Sequence, residues 1–359
     1  MDIRTIDHLE LYADDADEAA GRLCDGFGFA VHGRGGPETG LADCRSVLLR
    51  QHEITLLVTS PLGAGHRATE YLRRHGEGVA VVAMAVDDGS AAFAEAVERG
   101  AEPIAPPRTF GPEGGQVTFA SVKGFGDVEH RFTSRQRAAG PFAPGVIAEE
   151  SAPAAGSGLL RVIDHLAVCL PAGELDPTVR RYKEVFDLDQ TFEERIVVGS
   201  QAMESKVVQS RSGGVTFTII EPDTSRVAGQ IDAFIRDHDG AGVQHVAFRT
   251  EDILAGVRDC TDRGIPFLST PAGYYAALPE RLGSVGVPVE RLQELNILAD
   301  RDYAGVMLQI FTATTHPRHT LFYELIERRG ALTFGSNNIK ALYEAVERQQ
   351  AAERAAAKG

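Results

Sequence analysis

Two segments of the chain open alike: IDHLELYADD begins at Ile6 and IDHLAVCLPAG at Ile163. Each reads as a short strand of alternating apolar residues, a loop, an amphipathic helix and a further strand. In the second copy the spacing predicts a helix starting at Asp176 and Pro177, as N-cap and first-turn residue, with Val179, Tyr182, Val185 and Phe186 as its apolar stripe. Another matching pair follows, HGEGVAVVAMAV from His75 and DGAGVQHVAFRT from Asp239. Both combine a Gly-x-Gly turn, a buried strand and a helix with acidic residues at its start. Both helices end in Arg-Gly, which places Gly100 and Gly264 where a left-handed C-cap residue belongs. The chain therefore carries at least four related β-α-β units, two per half. The expected fold class is α+β, with two homologous domains of paired modules whose sheets curve around a cavity.

A stretch rich in Ala, Gly, Pro and Ser, residues 135–158, separates the two copies and reads as a linker. The expected division is a first domain over 1–134, the linker, and a second domain over 159–359, and 359 residues suffice to give each domain a core. With 43% hydrophobic and 24% charged residues the composition is that of an ordered globular chain. A net charge of −15 and the lack of any Lys/Arg run exclude a nucleic-acid partner. No apolar stretch approaches the roughly 20 residues that span a bilayer, and the N-terminus has acidic residues where a signal peptide carries a basic region and an apolar core. The four cysteines, Cys24, Cys44, Cys169 and Cys260, form no close pair, which fits a reducing cytosol and excludes a thiolate-rich metal site. A cytoplasmic protein with a small-molecule substrate is expected, and a homo-oligomer is left open.

Asymmetry between the copies points to the chemistry. His8 and His165 occupy the same place after Ile-Asp, so that position accepts histidine for structural reasons too. At the other paired site Gln244-His245 stands opposite Ala80-Val81. A buried histidine must satisfy two ring nitrogens, a burden that a fold does not need where valine suffices, so His245 reads as functional. The missing carboxylate is supplied by Glu324, which alternates onto the same strand face as Phe322 and Ile326. A carboxylate on an apolar face is costly unless it is paired or metal-bound. Glu327 and Arg328, by contrast, read as solvated. Two histidines and one carboxylate make a facial triad that leaves three positions open on octahedral iron(II), although ligand type alone does not separate iron from zinc. His316 and His319 flank Pro317 and read as loop residues. The glycine-rich stretches lack the strand–helix context of a nucleotide loop, and no nucleophile elbow is present.

From GAGVQHVAF through LQIFT and TLFYELIERRG to FGSNNIKALYEAVE, the second half resembles the 4-hydroxyphenylpyruvate dioxygenase and 4-hydroxymandelate synthase family. The first half is similar to that family's non-catalytic N-terminal domain, so the resemblance spans nearly the whole chain, with its motifs in order. It implies the fold of the vicinal oxygen chelate superfamily, built of paired βαβββ modules. It also implies a C-terminal covering helix from about Asn338, where Ile339, Leu342, Tyr343 and Val346 form an apolar stripe. The implied cofactor is iron(II), held by His165, His245 and Glu324. The implied substrates are 4-hydroxyphenylpyruvate and O2. The implied substrate-binding residues are Ser205, Gln230, Gln244, Gln309, Phe311 and Phe334.

The family's two activities share one keto acid and diverge after decarboxylation, towards homogentisate or towards 4-hydroxymandelate. Where dioxygenases read Gly-Asn-Phe, this chain reads Asn337-Asn338-Ile339. Where they read Pro-x-Asn-Glu-Pro, it has Thr218-Ile219-Ile220-Glu221-Pro222. Both departures resemble the synthase branch: a branched alkyl group replaces a ring beside the substrate, and a polar anchor is lost. Thr218, Ile220, Asn338 and Ile339 therefore join the expected substrate-binding set, because small displacements of the ring decide which carbon reacts. The rival readings are a ligand-binding protein without turnover on the same fold and an extradiol catechol dioxygenase.

Overall fold

The computed structural model describes residues 1–137, 140–150, 156, 158–335, 338, 340 and 341. The first half builds a nine-stranded sheet from β1 (Ile6–Tyr12), β2 (Ala30–Gly35), β3 (Cys44–Gln51), β4 (Ile54–Pro61), β5 (Gly78–Ala85), β6 (Pro103–Phe110), β7 (Val117–Lys123), β8 (Glu129–Arg135) and β9 (Ala148–Glu149). The second half builds an eight-stranded sheet from β10 (Leu160–Cys169), β11 (Asp189–Val198), β12 (Gln201–Gln209), β13 (Thr216–Pro222), β14 (Gly242–Thr250), β15 (Leu298–Arg301), β16 (Val306–Phe311) and β17 (Phe322–Arg329). The helices are α1 (Ala16–Phe27), α2 (Arg67–His75), α3 (Gly89–Glu98), α4 (Leu175–Phe186), α5 (Gln230–His238), α6 (Ile253–Asp262), α7 (Ala272–Leu282) and α8 (Val289–Glu294). Among the described residues no helix is long and apolar enough to cross a membrane.

The repeat read from the sequence is the repeat of the fold. In the first half β1 pairs parallel with β4 and antiparallel with β5, and β5 pairs parallel with β8. In the second half β10, β13, β14 and β17 reproduce the same pairings. Each module is thus a strand, a helix and three further strands, and two modules meet at the central antiparallel pair. Asp15, Asp88 and Asp252 cap α1, α3 and α6 by accepting backbone N–H bonds. Gly100 and Gly264 follow their helices at φ 98° and 91°, the conformation their Arg-Gly endings call for. One apolar core runs through both halves, with Phe27 against Phe248 and Phe125 against Phe217.

Two local expectations change. The N-cap of α4 is Glu174, not Asp176. The donors at this helix start are met from a neighbouring strand, because Glu221 accepts from the backbone N–H groups of Gly173 and Leu175, which leaves Asp176 free to pair with Lys206 at 2.6 Å. Part of the stretch read as linker is packed: Phe142, Ala143 and Ile147 are buried against Leu48 and Leu57, and β9 adds to β2 as the edge of the first sheet. The apolar residues within an otherwise linker-like composition are what hold it there.

Candidate metal centre

His165, His245 and Glu324 lie on three adjacent strands at the middle of the second sheet. Ala247 of β14 is in register with His165 of β10 on one side and with Glu324 of β17 on the other. His245 lies two residues before Ala247 on that middle strand, so all three side chains project from one face. Ala247 leaves only a methyl group between them, a requirement that sequence reasoning missed. The sheet curls strongly around this point. Phe192 and Glu194 on β11 line the same cavity as Phe311 on β16, although six strand spacings, about 29 Å if flat, separate those strands.

The donor set fits a metal. Glu324 places Oε2 3.3 Å from Nε2 of His165 and 3.3 Å from Nε2 of His245, and the three ligand atoms lie within 4.8 Å of one another. Adjacent ligands held about 2.1 Å from a shared ion lie about 3.0 Å apart, close to what the side chains already adopt. Asp164 binds Nδ1 of His165 at 2.9 Å, leaving Nε2 to face the site, and Arg328 grips Asp164 through two nitrogens. Burial pushes the Glu324 carboxyl up, but the two imidazoles outweigh it and hold it down at about 2. Burial pulls the His165 imidazole down, but Glu324 and Asp164 outweigh it and raise it to about 9. Burial keeps His245 below its ordinary value despite its bond to Glu324. The pocket therefore stabilises one positive charge beside an ionised carboxylate. Glu327 and Arg328 are not solvated as the sequence suggested. Glu327 is buried and accepts the backbone N–H of Ile253 at the start of α6, and Arg328 pairs with Asp164.

Of the residues expected to bind substrate, Ser205, Thr218, Ile220, Gln309, Phe311 and Phe334 line the cavity above the three ligands. Gln244 is buried next to His245 with its Oε1 unpartnered, at a register shift in the β10–β14 pairing. Gln230 heads α5, where its backbone N–H donates to Gln201, and is not among the lining residues. Asn338 is fully buried and reaches the site through Gln309. Ile339, Leu342, Tyr343 and Val346 lie outside the described residues, as does most of the expected covering helix. Phe192, Glu194 and Val207 also line the cavity. Their alternation along β11 and β12 was visible, but only the curl of the sheet brings those strands to the metal ligands. The cavity volume is about 30 Å³, below the several hundred Å³ common for small-molecule sites. Phe334 forms part of the cavity wall and also borders a cleft of about 860 Å³ between the halves.

The sequence pattern of the Glyoxalase/Bleomycin resistance protein/Dioxygenase superfamily matches residues 5–127 and again residues 164–279. The chain is 34% identical over 358 residues to 4-hydroxyphenylpyruvate dioxygenase of Xenopus tropicalis, covering 96% of this chain and 90% of that one. It is 32% identical to the Dictyostelium discoideum enzyme of the same name, covering 96% and 97%. Among solved structures it is similar to a mutant of 4-hydroxymandelate synthase from Streptomyces coelicolor, at 44% identity and a TM-score of 0.89, covering 98% of this chain and 100% of the other. Sequence, fold and ligand set agree: the chain belongs to the 4-hydroxyphenylpyruvate dioxygenase family, which includes 4-hydroxymandelate synthase.

Proposed function

We propose that this chain is a 4-hydroxymandelate synthase, which uses iron(II) to convert 4-hydroxyphenylpyruvate and O2 into 4-hydroxymandelate and CO2. The observation that carries this reading is the make-up of the cavity wall. Thr218 and Ile220, two of the positions that depart from the dioxygenase pattern, both face the space above the three candidate ligands. The 44% identity to a synthase, against 34% and 32% to the dioxygenases named above, points the same way. The reaction balances with one oxygen atom entering the new carboxylate and the other the benzylic hydroxyl.

His165, His245 and Glu324 would hold iron(II), which would supply the redox chemistry that joins a keto acid to dioxygen. The chain's own residues do the rest. The Asp164–Arg328 pair fixes the tautomer and direction of His165. Phe334 packs edge-on to His165 at 5.0 Å and Phe311 lies 5.9 Å from His245, giving the substrate ring apolar walls. Ile220 offers no hydrogen bond to that ring, so its position is set by shape.

Product analysis after aerobic turnover of 4-hydroxyphenylpyruvate with ferrous iron tests the reading. The expected product is 4-hydroxymandelate with one equivalent of CO2. Homogentisate as main product overturns it in favour of the dioxygenase, and binding without oxygen uptake overturns it in favour of a sequestration protein.

A further inference from the structure

The metal carboxylate is the end of a hydrogen-bonded chain that starts at the protein surface. Gln309 turns its Nε2 to the carboxylate and donates to Glu324 Oε1 at 2.8 Å. Gln309 Oε1 must then accept, and Asn338 donates its Nδ2 at 2.8 Å. Asn338 Oδ1 must accept in turn, and the Tyr274 hydroxyl lies 2.7 Å from it. The hydroxyl also reaches Ala299 O at 2.9 Å, and Asn338 Oδ1 is the nearer of the two acceptors. Ala299 O, its other acceptor within reach, already takes a bond from Arg281, and the Ala299 N–H donates to the phenol oxygen. Arg281 closes the chain with its guanidinium 4.9 Å from the Tyr274 ring centre and Nη2 3.1 Å from the hydroxyl. Each amide has one workable orientation once the carboxylate fixes the first.

Packing holds the same line. Gln309, Asn338 and Glu324 are at most 2% exposed. Gly335, at φ 68°, accepts the backbone N–H of Asn338, and a Cβ there would stand 2.8 Å from Gln309 Oε1. The glycine leaves room for Gln309 Oε1 beside it.

We propose that Tyr274 is a positioning residue for the metal carboxylate, acting through Asn338 and Gln309. With Oε1 engaged by Gln309, Glu324 offers Oε2 alone to a metal, which keeps a further coordination position open for the keto acid. Gln309 and Asn338 then serve the carboxylate rather than the substrate. This inference rests on the iron-enzyme reading but not on which product is formed.

The test uses the full-length metal-free chain, titrated anaerobically with iron(II) and then with 4-hydroxyphenylpyruvate, following the iron–keto acid charge-transfer absorption. Tyr274→Phe keeps the ring and removes the hydroxyl. It is expected to weaken iron(II) or keto-acid binding by about tenfold or more, with a melting temperature within a few degrees of wild type. Asn338→Leu should shift binding in the same direction, and the double variant should be little worse than Asn338→Leu alone, because both changes cut one chain. Wild-type affinities in Tyr274→Phe overturn the proposal, as does a loss confined to melting temperature. Since both titrations precede turnover, homogentisate from the unmodified protein would refute the synthase reading and leave this result standing.

Discussion

Arg131 stands in the first sheet where Glu324 stands in the second. Arg131 pairs with Ala83 on β5, and Glu324 with Ala247 on β14, the matching alanines of the two repeats. The first-half site is closed by that cation. Arg131 reaches Glu10 at 2.9 Å, Glu129 at 3.2 Å and Nε2 of His8 at 3.2 Å, while Val81 takes the place of His245. One scaffold thus fills its centre with a fixed guanidinium in one copy and presents three ligands in the other.

That contrast predicts different outcomes for paired substitutions. His245→Ala should cost more in metal affinity than the roughly hundredfold that follows loss of a supporting bond. His8→Ala should leave metal affinity unchanged, yet destabilise the fold by about 1–3 kcal/mol, because His8 is fully buried and bonded to Asp7. Metal titration and thermal melting of both variants check this. Equal metal binding by His245→Ala and wild type would remove His245 from the ligand set.

The ion pairs behind the two histidines give a second comparison. Asp7–Arg135 and Asp164–Arg328 are equivalent and both largely buried. Asp7→Asn and Asp164→Asn should each destabilise the protein by about 3 kcal/mol, since each leaves a mostly buried guanidinium without its counter-charge. Asp164→Asn alone should also weaken metal binding, by about tenfold to a hundredfold. A loss of metal affinity in both variants would mean that the effect is general loosening and not support of His165.

pH should move metal-free stability and metal affinity in opposite directions. His165 is raised from 6.5 to about 9, so its contribution to stability is complete below 6.5 and is lost as pH rises through 9. Glu324 is lowered from 4.5 to about 2, so its contribution is present above 4.5 and is lost as pH falls through 2. A metal must displace the His165 proton, so its affinity should rise by about tenfold per pH unit between 6.5 and 9. Melting of the metal-free chain and metal titration across that interval measure the two trends, and an affinity independent of pH would contradict the assigned proton.

Product choice should respond to the wall at Ile220. Ile220→Asn restores the amide of the dioxygenase pattern at a residue that lines the cavity. CO2 release should persist, while some product shifts from 4-hydroxymandelate to homogentisate. A change of about 1.4 kcal/mol between the branches alters their ratio tenfold, which chromatography resolves. Ile339→Phe, at a position outside the described residues, should act in the same direction. An unchanged product ratio in both variants would remove these two positions from the control of product choice.

The sequence by itself determined the repeat, the module pattern and the three candidate ligands, His165, His245 and Glu324. A duplicated chain shows directly where one copy has a core valine and the other a histidine, and strand alternation put Glu324 on a buried face. What alternation cannot encode is what stands opposite that face. Glu327 and Arg328 read as solvated because they end a strand, yet α6 and Asp164 supply their partners across the fold. Phe192 and Glu194 lie on the edge strand β11, and only the curl of the sheet carries them to the cavity. Gln309 lines the cavity, and only tertiary packing set its amide between Glu324 and Asn338. Periodicity fixes the side of an element on which a residue lies, whereas burial, ion pairing and hydrogen-bond direction depend on groups far away in the chain, and tertiary packing alone brings those groups together.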